Sequence, residues 1–110
     1  MTSPSPLKVL ANELFKEAKK CPGTWRDAAI DRSLDWKLGV CVDPATRQLE
    51  LRFRVMAGGG LTPVEFQIHA RNYAAELGAA GWDPQFRTIG LTWEATFLQP
   101  VTAAPAPVDG

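Results

Sequence analysis

The chain has 110 residues, 45% apolar, 9% aromatic and 22% charged, and its twelve Lys and Arg balance twelve Asp and Glu. That composition excludes a disordered polymer, and the length suits one domain able to bury enough surface to need neither disulfides nor a structural metal. No run approaches the ~20 continuous apolar residues of a membrane span, and the Met-Thr-Ser-Pro start lacks the basic and apolar regions of a leader. The expectation is a cytoplasmic protein with no membrane partner.

Residues 1–5 and 99–110 are rich in Pro, Ala, Thr and Ser and are expected as flexible tails around a single domain at 6–98. Ser5-Pro6 reads as an N-cap followed by the first helical position. Leu7, Leu10, Leu14 and Ala18 then recur at helical spacing with Phe15 beside them, predicting a helix over 6–20. Its other face carries Lys8, Glu13, Lys16, Glu17, Lys19 and Lys20, a solvated stripe whose last lysines suit the helix dipole, and Cys21-Pro22-Gly23 stops it. Residues 24–33 fit two readings, a helix capped at Thr24 or a short strand over Trp25 to Ile30; the strand is taken.

From Leu34 the pattern is clear: Leu34, Trp36, Leu38, Val40 and Val42 alternate with smaller or polar residues, as do Leu49, Leu51, Phe53 and Val55. Between them Asp43-Pro44-Ala45-Thr46 suits a type I turn, so the two runs form a hairpin. Keeping both apolar sets on one face predicts the pairs Val40 with Leu49, Leu38 with Leu51 and Trp36 with Phe53.

Gly58-Gly59-Gly60 reads as a hinge loop. After it, Thr62 caps, Pro63 takes the first helical position, Glu65 completes a capping box and Leu61 can staple onto Phe66. This second helix is expected to run to about Ala80 with Gly81 ending it. Its apolar face would be Phe66, Ala70, Tyr73, Ala74 and Leu77, widened by Val64, Ile68 and Ala75. Residues 86–97 then form one long strand or a hairpin bent near Gly90. The fold class that results is α+β, a two-layer sandwich with two helices on one face of a 4–5 stranded antiparallel sheet in the order α-β-β-β-α-β-β. An offset of 57 residues also aligns Ser5-Pro6 with Thr62-Pro63, Trp25 with Trp82 and Trp36 with Trp93, the trace of a possible internal duplication.

No catalytic constellation emerges. There is one His, no G-x-S-x-G, and Cys21 and Cys41 stand apart from it and from each other, which argues against nucleophilic catalysis, zinc and a disulfide. His69 lies one helical turn from Glu65, a surface pair. Asp27, Asp31 and Asp35 would stack only if 24–35 were helical, and the Gly58 to Gly60 run matches no phosphate-binding motif. Expected catalytic, cofactor and metal residues are therefore none, and the chain is read as a non-enzyme without a cofactor.

What remains is binding. Helices over one sheet face leave the other face and an edge strand open, and edges readily accept a partner strand. The leading expectation is a small protein-binding module, an adaptor, inhibitor or chaperone-like domain. The element order is shared with small chaperone and adaptor folds of the type III secretion chaperone kind, without a motif to accompany it. The candidate partner-binding residues are Lys37, Arg52 and Arg54 on the outward face of the 34–55 hairpin, Arg47 near its turn, and Glu94, an acid that dilutes the basic patch. The alternative is a nucleic-acid-binding domain that uses the same basic face. Residues 1–55 carry ten basic against seven acidic groups and 56–110 two against five, a +3 beside a −3 that would let two copies associate as a homodimer.

Overall fold

The computed structural model describes residues 5–31, 35–56 and 60–100. Within them lie α1 (Pro6–Lys20), β1 (Arg26–Asp31), β2 (Trp36–Val42), β3 (Leu49–Met56), α2 (Pro63–Glu76), β4 (Asp83–Ile89) and β5 (Thr92–Leu98). The expected start of β2 at Leu34, Gly58 and Gly59 of the hinge loop, and the tails at 1–4 and 101–110 fall outside the described residues.

α1 begins where Ser5 Oγ accepts the Lys8 N–H (3.1 Å) with Pro6 behind it, and it buries Leu7, Ala11, Leu14 and Ala18. α2 begins with the anticipated capping box: Glu65 N–H donates to Thr62 Oγ1 (3.1 Å) and Thr62 N–H donates to Glu65 Oε1 (2.8 Å). It ends earlier than expected. Gly78, at φ +81°, closes the helix through Ala79 N–H to Ala74 O (2.8 Å) and Gly78 N–H to Ala75 O (3.0 Å), the paired bonds of a left-handed C-terminal cap. Phe66, Ala70 and Ala74 are buried as predicted, but Val64 and Ile68 are 65% and 52% exposed, because the buried stripe of a 14-residue helix is too narrow to include them.

The five strands form one antiparallel sheet in the order β1-β2-β3-β5-β4. Both helices lie on the face that carries Trp36, Leu38, Val40, Leu51, Phe53, Val55, Ala95 and Phe97, all essentially buried. Trp36 sits at the centre of this core, stacked on Phe66 (centroids 5.3 Å) and edge-on to Tyr73 (5.2 Å), while Phe53 stacks on Tyr73 (5.6 Å).

The hairpin register differs from the expected one by two residues. Leu38 faces Phe53, Val40 faces Leu51 and Val42 faces Leu49. The cause is the loop. Asp43 Oδ1 accepts from Ala45 N–H (2.8 Å) and Thr46 N–H (2.9 Å), and Arg47 then takes a left-handed φ of +63°, so Asp43 N–H closes onto Gln48 O (2.9 Å) across four residues instead of two. A shift of two keeps every side chain on its expected face.

Residues 83–98 form a hairpin about Gly90, and β5 inserts between β3 and β4, so α2 is the crossover joining two strands that run the same way. Just beyond β5, Gln99 N–H donates to Leu49 O (2.8 Å) and the Gln99 side chain accepts from Leu49 N–H (3.0 Å). The 57-residue offset has no counterpart in symmetry. The two helix-hairpin units lie as left and right hands on one sheet face, a relation no rotation produces, and Trp25 lies on the outer face whereas Trp82 packs on the core.

Candidate functional site

Among the described residues, neither the outer sheet face nor the outward side of β4 is covered by another element. On the outer face, pairing places Lys37, Arg54, Glu94 and Arg87 in one row across β2, β3, β5 and β4, and Asp27, Gly39, Arg52, Thr96 and Gln85 in the next. Lys37, Arg52, Arg54 and Glu94 therefore share one surface, as expected. Arg47 does not join them, because it lies in the loop at the far end of the hairpin from Lys37 and Arg54.

The arginines are largely engaged. Asp27 Oδ1 receives Arg52 Nη2 at 3.3 Å and Arg54 Nη2 at 3.4 Å, and the Arg52 guanidinium lies 4.0 Å over the Trp25 ring. Gly39 makes this possible: a Cβ there would collide with Asp27 Oδ1 and come within 3.2 Å of Trp25 and 3.4 Å of Arg52. Glu94 is only 2% exposed, although it lies on the uncovered face. Its Oε1 accepts from Arg87 Nε at 2.7 Å, as a buried carboxylate requires. Sequence reasoning did not place Trp25, Asp27 or Arg87 beside these arginines; a glycine in the middle of a strand was the available sign that another group approaches closely. Among the described residues Lys37 has no ion-pair partner, so the face is a mixed, internally matched layer rather than a strip of free cations.

The helical condition for stacking the carboxylates is not met: residues 26–31 are strand, Asp27 lies on the outer face, and Asp35 occupies a turn at φ +56°. Among the described residues no group of three or more His, Cys, Asp and Glu side chains could hold a metal ion. Cys41 is buried and Cys21 exposed, and burial, then the nearby Glu50 charge, pushes the Cys41 thiol up from its ordinary value. His69 is exposed on α2, its ring edge-on to Trp36 at 6.3 Å. Among the described residues no helix is long and apolar enough to cross a membrane.

At the β4 margin the helical layer is thinner. α2 lies over β5 and meets β4 through Phe66, 6.2 Å from the Phe86 ring, and through Arg71, 5.4 Å above it. No residue of β4 is fully buried. A cleft of about 280 Å³ opens there between Pro63, Phe66, Phe86, Thr88 and Trp93. The direction of the backbone groups follows from one bond. Because Gln99 N–H donates to Leu49 O, residues 93, 95 and 97 of β5 bond to β3, and 92, 94, 96 and 98 bond to β4. Asp83, Gln85, Arg87 and Ile89 therefore face β5, while Phe86 and Thr88 direct their N–H and C=O groups outward. Pro84, which has no N–H to offer, occupies the remaining outward position, where a strand tolerates it.

The outward-pointing amides of Phe86 and Thr88 thus border an aromatic cleft, with Arg87 between them on the opposite face. Compared with protein-family models, with curated proteins and with solved structures, the chain matches none of them.

Proposed function

We propose that this protein is a small non-catalytic protein-binding module, an adaptor, inhibitor or chaperone-like domain of the cytoplasm, that takes up an extended segment of another protein along β4. The observation that carries the reading is the edge at Phe86 and Thr88, unpaired among the described residues, beside the Phe66, Phe86 and Trp93 cleft. Backbone hydrogen bonds from an added strand supply affinity, and a pocket for alternate side chains supplies selectivity. The engagement of Arg52 and Arg54 by Asp27 favours this margin over the basic face as the working surface.

Thr88→Pro is the discriminating variant. It removes an outward N–H while leaving the bonds to β5 untouched, so the protein should keep its cooperative unfolding transition and lose a partner that the native chain retains from its host. A partner held equally by both forms would refute the assignment, as would small-molecule turnover abolished by one point change. Retention on heparin that falls with salt and with Arg52→Ala plus Arg54→Ala would move the function to the outer face.

A further inference from the structure

Strand addition at β4 has a chemical preference that the geometry specifies. The groups of an incoming strand that pair with Phe86 and Thr88 place their side chains on the helix side of the sheet, against the aromatic cleft. The residue between them stands opposite Arg87 on the outer face. The Arg87 side chain is 67% exposed, and among the described residues only its Nε is committed, to Glu94, so its terminal amino groups remain able to hold a second carboxylate. Arg71, over the Phe86 ring, adds a second cation to the margin, and these two arginines are the only Lys or Arg residues in 56–110.

Resting on the strand-addition reading above, we infer that the partner segment is an acidic extended peptide of alternating pattern, apolar-acidic-apolar, with its two apolar side chains toward the Phe66, Phe86 and Trp93 cleft and its carboxylate on Arg87. The same geometry disfavours a second copy of this chain. Pairing two β4 edges about Arg87 sets two guanidinium groups side by side, and pairing them about Phe86 sets Pro84 opposite Thr88, where a hydrogen bond is lost.

The test uses three fluorescein-labelled synthetic peptides that differ only at the central position of a Val-x-Val core, with Glu, Gln or Lys there, read by fluorescence anisotropy and by hydrogen exchange at the Phe86 and Thr88 amides. The expected result is that the Glu peptide protects both amides and binds at least about tenfold more tightly than the Lys peptide, with Gln between. Arg87→Gln should remove that order, and the peptide series on the native protein decides the matter if this variant does not fold. Equal binding of all three peptides, with both amides protected, overturns the charge preference and leaves strand addition standing. Absence of protection with every peptide overturns strand addition itself. Slowed exchange without any peptide, accompanied by a doubled mass in light scattering, overturns both in favour of a dimer.

Discussion

At the β1 margin α1 lies over both β1 and β2, the register slips between Ala29 and Asp31, and Trp25, Asp27 and Arg52 fill the space above Gly39 on the outer face. At the β4 margin α2 covers β5, the pairing is unbroken from Asp83 to Ile89, and the outer layer rests on a single Arg87–Glu94 pair. An irregular edge resists pairing and a regular one invites it. A helix followed by a hairpin thus closes one side of the sheet and leaves the other ready for a strand. The deciding quantity is where the helix sits across the hairpin, on its outer strand or its inner one.

The largest effect should come from the residue that joins the two sides. Trp36 belongs to β2 yet stacks on Phe66 of α2, so Trp36→Ala should lower stability by about 3–5 kcal/mol in urea unfolding, with both flanks lost in one transition. Gly39→Ala should cost about 1–3 kcal/mol, because Asp27, Trp25 and Arg52 must give way on both sides of the added methyl. Its counterpart Gly90→Ala meets no neighbour and should cost only about 1 kcal/mol, from its φ of +60°. Phe86→Ala separates stability from binding: the ring is half-buried, so a loss of about 1 kcal/mol is expected beside a complete loss of amide protection by the Glu peptide. Equal stability losses at Gly39 and Gly90 would erase the contrast between the margins.

The smallest effects are those of pH. Backbone N–H groups of Thr46 and Ala45 hold the Asp43 carboxyl below its ordinary value, and that of Thr62 does the same for Glu65. Depressed carboxyls contribute stability that is present above their unfolded values and lost as pH falls through the folded ones. Asp43→Ala and Glu65→Ala should each flatten part of the acid decline in Tm. Cys41 acts in the opposite direction. Its thiol is raised by burial, so its contribution is complete below the ordinary thiol value and disappears as pH rises through the raised one. Cys21 should react with Ellman's reagent in the native state, and Cys41 only after unfolding.

Much of this fold is legible in the sequence because side-chain period states which face a residue takes. Period two placed Trp36, Leu38, Leu51 and Phe53 in the core even though the loop after Val42 took four residues and moved the register by two. Caps state where a helix begins, and Thr62 to Glu65 did so to the residue. Helix ends were less readable, since Gly78 and Gly81 are both plausible stops and only the cap hydrogen bonds choose between them. The outer-face arginines were legible by parity, but their neutralisation by Asp27 was not, because it depends on how β1 registers against β2. The β4 margin was least legible of all: nothing local in 83–98 states that β5 passes inside β4 and leaves Phe86 at an edge.

That passage of β5 governs the timing of assembly. β4 leaves the ribosome before β5, its one neighbour among the described strands, and β3 waits with one side unpaired until Thr92 to Leu98 have emerged. The nascent domain therefore cannot complete its sheet progressively from the N-terminus, and closure is a late, single event. Ribosome-stalled chains ending before residue 92 should be degraded readily by protease, while chains that extend well past Leu98 should survive.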